Sequence, residues 1–139
     1  MKQILLMIGV SVLLFANFTR NGDIVTDTTM NLQWQDNNDA QTVLKTWIEA
    51  INYCENLTLG GYSDWRLPNI NELKTIADET TYSPAIVDAF TNVSLGNYWS
   101  STTYATSGGA ALYVHFDYLS AGFRSKQNQE HVRCVRTGR

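Results

Sequence analysis

Nine residues constrain this chain more than any other stretch: Gly60-Gly61-Tyr62-Ser63-Asp64-Trp65-Arg66-Leu67-Pro68. The glycine pair permits left-handed backbone, the aromatics call for burial, and Pro68 fixes the exit direction. Helical patterns flank the stretch. Upstream, Thr46-Trp47-Ile48-Glu49 fits a capping box, and Trp47, Ile48, Ile51, Cys54 and Leu57 form one stripe at helical spacing. Downstream, Asn69 and Glu72 repeat the cap, and Ile70, Leu73, Ile76 and Ala77 form the buried stripe of a second helix. The nine residues therefore read as a structural clasp, with Trp65 and Leu67 plugging the core and Asp64 pairing with Arg66. Ser83 as N-cap and Pro84 at N1 predict a third, short helical turn through Phe90.

Elsewhere the period is two. Ile24 to Asp27 and Met30 to Trp34 read as strands, with Gln35 to Gln41 a solvated polar loop that lacks the spacing of a calcium site. Tyr98 to Thr102, Leu112 to Asp117, Phe123 to Lys126 and His131 to Arg136 follow as a meander. Helices followed by antiparallel strands give an α+β arrangement.

The first residues carry an export pattern: Lys2, then an apolar run from Ile4 to Phe15, with Ala16 a small residue at a cleavage point. The expected organisation is a signal peptide over 1–18 and one domain over 19–139, with no stable membrane span after cleavage. A sparsely charged surface, with 17% charged residues, suits an extracellular protein. In an oxidising compartment the two cysteines, Cys54 and Cys134, read as a disulfide, the alternative being two buried thiols. Charge is uneven along the chain. Residues 21–118 hold twelve acids against Lys45, Arg66 and Lys74, whereas Arg124, Lys126, Arg133, Arg136 and Arg139 face only Glu130 after residue 118.

Several of these marks occur together in a known family. Trp34-Gln35-Asp36, Tyr53-Cys54, the Ser63-to-Pro68 run, Tyr98-Trp99-Ser100-Ser101-Thr102 and Val132-Arg133-Cys134-Val135-Arg136 follow the order found there. The chain resembles the bacterial Lcl C-terminal domain family, named for a Legionella collagen-like adhesin. The resemblance implies a fold similar to C-type lectin-like and formylglycine-generating-enzyme-like domains: two main helices plus a short one around a small twisted antiparallel sheet. It also implies export and, by the adhesin's example, binding of sulfated glycosaminoglycans as a trimer. This chain has no Gly-X-Y region, and a homo-oligomer is left open.

Catalysis is not expected. Bridged cysteines have no redox role, His115 and His131 read as strand-surface residues, no serine is placed beside either, and no zinc spacing is present. Neither a cofactor nor a metal is expected, and an acidic exported chain is not a nucleic-acid binder. The candidate ligand site is the basic C-terminal strands: Arg124, Lys126, His131, Arg133 and Arg136, with Tyr113 or Tyr118 to stack on sugar rings. The function expected is that of a secreted, periplasmic or cell-surface binding and adhesion domain for an anionic glycan or cell-surface polysaccharide. The alternative is a structural or protein-interaction module of the cell envelope.

Overall fold

The computed structural model describes residues 17–138, so the expected signal peptide lies, up to residue 16, outside the described residues. In chain order the elements are β1 (Phe18–Asn21), β2 (Ile24–Asp27), β3 (Leu32–Gln35), α1 (Asp39–Thr42), β4 (Leu44–Lys45) and α2 (Trp47–Glu55). They continue with α3 (Ile70–Lys74), β5 (Asn97–Thr103), β6 (Ala110–His115), β7 (Ser120–Ser125), β8 (Glu130–His131) and β9 (Val135–Thr137). The expected α+β fold of two main helices around one small sheet is not what forms. The strands make two sheets, ordered β1-β2-β3-β9 and β4-β8-β5-β6-β7, and the helices are short.

The helical starts are nonetheless encoded locally. Thr46 and Glu49 close a capping box on α2, and Asn69 and Glu72 close one on α3, with Glu72 N–H donating to Asn69 Oδ1 at 2.8 Å. What the sequence pattern overstates is length. Only Ala50 and Cys54 of α2 are buried, while Ile48 is 58% exposed. The third helix is absent at Ser83-Pro84, which form a cis peptide. That segment pairs through Ala77 and Ile86 and donates from Ser83 and Ala85 N–H to the carbonyls of Asp117 and Phe116. Instead α1 forms inside the presumed solvated loop, and Asp36 at that loop's start is buried.

The largest difference lies at the C-terminus. The single strand expected over His131 to Arg136 is split between the sheets: β8 pairs with β4 and β5, while β9 pairs with β3. Val132, Arg133 and Cys134 are the crossing between them, all buried. The disulfide joins Cys134 to Cys54 of α2 with the Cα atoms 5.5 Å apart, fixing the crossing to the helix.

Two apolar cores result. One packs Val25, Trp34 and Val135 against Leu73, Ile76, Tyr98 and Val114. The other gathers Ala50, Cys54, Trp65, Leu67, Trp99, Ala111, Val132 and Cys134. Strands β5 and β6 lie between them, which is why Tyr98 and Trp99, adjacent and pointing to opposite faces, are both fully buried. Burying each such side chain stabilises by about 1.5–3 kcal/mol before ordering entropy is counted.

Candidate functional site

The basic C-terminal residues do not stay together. Arg133, in the crossing between sheets, has no exposed side-chain surface and donates to Asp36 Oδ1 at 2.8 Å, to the Gln35 carbonyl at 2.7 Å and to the Asn92 carbonyl at 2.6 Å. Arg20 of β1 pairs with the other carboxylate oxygen of Asp36, and the N–H groups of Thr91 and Asn92 donate to the same carboxylate at 2.9 and 3.1 Å. Burial pushes the Asp36 carboxyl up, but the charge of Arg133 and the hydrogen bonds from Thr91, Arg133 and Arg20 outweigh it and hold it below the usual carboxylate range. This network ties β1, the crossing and the 91–92 loop together.

Arg136 on β9 is spent in a second network. Its guanidinium donates to Asp64 Oδ1 at 2.6 Å and Oδ2 at 3.1 Å, donates to Gln33 Oε1, and stacks 3.7 Å from the Tyr62 ring centre. Asp64 therefore does not pair with Arg66. Arg66 instead makes a bidentate bridge to Glu72, both contacts 2.7 Å, locking the loop to the first turn of α3. Trp65 is buried as expected and donates from Nε1 to the Tyr62 carbonyl at 3.1 Å. Within Gly60 to Pro68, Trp65 and Leu67 are buried, and the two charged residues take partners other than each other.

Arg124 and Lys126, near the end of the β6–β7 hairpin, remain on the outside. Arg124 is about half exposed and 3.8 Å from Glu130. Lys126 lies 3.9 Å over the Trp47 ring and donates from Nζ to Thr103 Oγ1 at 3.0 Å. Tyr113 sits on the sheet face shared with Arg124, over Gly122, where an added Cβ would meet its hydroxyl at 2.5 Å. Tyr104 and the exposed Phe123 stack in parallel at 4.1 Å nearby.

His131 is not a free strand-surface residue. Its Nε2 is 2.8 Å from Ser94 Oγ, so the fold does bring a serine beside a histidine, a juxtaposition that local spacing could not reveal. The pair lacks the rest of a hydrolytic centre. Nδ1 of His131 is buried without a partner, so no carboxylate orients the ring or stabilises an imidazolium. Burial, and next the charge of Arg133, lower the His131 pKa, making it a poor base. Among the described residues no group of three metal-ligating side chains is assembled.

Among the described residues, two surface clefts stand out. One of about 270 Å³ is lined by Lys74, Glu79, Val114 and Leu119 among others. The other, about 370 Å³, lies where the β1–β2 hairpin meets the Gly60 loop. Together these features define a class: a disulfide-stapled, two-sheet domain, net acidic, that keeps Arg124 and Lys126 at its surface beside aromatic rings. The chain belongs to the Lcl C-terminal domain family, whose model matches residues 23–136. No curated protein matches it.

Proposed function

We propose that the chain is an exported, non-catalytic binding domain that recognises an anionic glycan, such as a sulfated polysaccharide, through Arg124 and Lys126 flanked by Trp47 and Tyr113. Family membership supports an extracellular binding role, and the Cys54–Cys134 disulfide suits an oxidising compartment. Among the described residues no helix is long and apolar enough to cross a membrane. The observation that carries the proposal is the sorting of the C-terminal cations. Arg133 and Arg136 are buried and spent on Asp36 and Asp64, while Arg124 and Lys126 stay within reach of a ligand beside aromatic surface. Forked guanidinium and ammonium donors suit sulfate and carboxylate oxygens.

The test is heparin-column retention at low and high salt, comparing the parent domain with Arg124→Glu/Lys126→Glu. Retention should fall with salt, because exposed ion pairs are screened, and be lost in the double reversal. Retention unchanged by the reversal would refute the assignment. Reversing Arg133 or Arg136 is uninformative, since both hold the fold together. The exposed Phe123, stacked on Tyr104, favours the second reading, a protein-interaction module of the cell envelope. Capture of a protein partner that is lost in Phe123→Ser, with no heparin retention, would select it.

A further inference from the structure

The cleft between the β1–β2 hairpin and the Gly60 loop has a construction that the anionic-glycan surface does not share. Antiparallel pairing places Asn21, Ile24, Thr26, Gln33 and Arg136 on one face of the four-stranded sheet, opposite the face that packs Val25, Trp34 and Val135 into the core. Such a face is ordinarily solvated and needs no particular order. Here it is walled. Leu59 and Tyr62 exchange two backbone hydrogen bonds of 3.0 Å across Gly60 and Gly61, whose φ values of 63° and 82° make the tight turn. Gly60 packs so closely on Ile24 that an added Cβ would collide with that side chain.

The turn presents Tyr62, 41% exposed, at the rim of the cleft. Its ring is fixed from one side by Arg136, which Asp64 and Gln33 clamp in turn. Asn21, Asp23, Thr26 and Gln33 line the same cleft. Among the described residues no side-chain hydrogen bond engages Asn21, Asp23 or the Tyr62 hydroxyl. The cleft thus combines one rigid aromatic ring with amide and hydroxyl groups that both donate and accept and a carboxylate that accepts.

We infer that this cleft is a second, independent binding site, and that its ligand is a neutral sugar residue of a polysaccharide. The aromatic ring offers a surface for the C–H face of a pyranose, and the planar Asn21 and Asp23 side chains match its vicinal hydroxyls, Gln33 being engaged by Arg136 and Thr26. Size agrees: about 370 Å³ is at the lower end of ligand-sized clefts. Charge argues against an anion, because Asp23, whose carboxylate has no ion-pair partner among the described residues, lines the cleft, while the charge of Arg136 is neutralised by Asp64. A metal ion is disfavoured by the single carboxylate. The pre-fixed Tyr62 ring means little ordering cost on binding.

The experiment is an amide-resolved NMR titration of the disulfide-intact domain with cellohexaose, maltohexaose, mannohexaose and chitohexaose, each at low and high salt. One or more of them should shift the amides of Gly60, Gly61, Tyr62 and Gln33, with an affinity that salt does not change. Tyr62→Ala should weaken that binding about tenfold, the loss expected of one stacked aromatic. Asn21→Ala, an exposed change independent of the loop, should weaken it as well, and Arg124→Glu/Lys126→Glu should leave it intact. Absence of shifts at these amides with all four sugars would overturn the inference. So would shifts that disappear at high salt, or binding that survives both Tyr62→Ala and Asn21→Ala. None of these results depends on heparin retention, so the two sites stand or fall separately.

Discussion

Replacing Asp36 by Asn removes one negative charge from the buried junction of Arg20, Arg133 and the 91–92 loop. Both carboxylate oxygens receive donors only: Arg133 and the Asn92 N–H on Oδ1, Arg20 and the Thr91 N–H on Oδ2. Whichever way the new amide is turned, its NH₂ faces donors, and Arg133 is left charged and fully buried, its Nε already without a partner. Stranding a buried charge in this way costs about 3–5 kcal/mol. At roughly 4 °C per kcal/mol for a domain of this size, the midpoint of thermal unfolding should drop by about 12–20 °C. Arg133→Met should cost less, about 1–3 kcal/mol, because Asp36 loses one donor on Oδ1 but keeps Arg20 and both backbone N–H groups, and besides it the Gln35 and Asn92 carbonyls lose a donor. Urea unfolding followed by tryptophan fluorescence, with the disulfide intact, measures both. The reasoning is refuted if Arg133→Met is the more damaging change, or if Asp36→Asn costs under about 1 kcal/mol.

Removing the disulfide with Cys54→Ala/Cys134→Ala opens a cross-link between residues 80 positions apart and should cost about 4 kcal/mol, read from the same urea curves. Acid should act through two groups of opposite charge type. The His131 pKa is lowered in the folded state, so the unfolded chain takes its proton first and stability falls as pH drops below the ordinary 6.5; His131→Gln should flatten that part of the profile. Asp36 is also lowered, so its contribution is present above the ordinary 3.8 and is lost as pH falls further, a second step that Asp36→Asn should abolish.

Much of the local structure was legible because its causes are local. A cap needs only residues three apart, so Thr46/Glu49 and Asn69/Glu72 announced α2 and α3 correctly. Strand alternation located β2, β3 and β5 to β7 to within a few residues, and the cysteine pair was read correctly as a bridge. Strand β1 was missed because Phe18 to Asn21 borders the apolar leader pattern and has no alternation of its own to mark it. The helical share was overestimated because an apolar stripe records which positions favour burial, not whether a partner surface is there. Ile48 had none and stayed exposed. The ion pairs were illegible for a different reason. Asp64 and Arg66, two apart, do not pair with each other, and their partners Arg136 and Glu72 are brought to them by the sheet and by α3.

The sequence by itself determined the helix caps, the identity of the disulfide and the family, since each rests on residue types at short spacing or in fixed order. Only the tertiary structure decided which cations face solvent. Arg124, Lys126, Arg133 and Arg136 look equivalent along the chain. The crossing from one sheet to the other carries Arg133 into the interior, where a guanidinium persists only with Asp36 to compensate its charge. The same crossing delivers Arg136 beneath Tyr62 and leaves Arg124 and Lys126 on the open hairpin. A charge on a strand has no predetermined side until the sheet it joins is known.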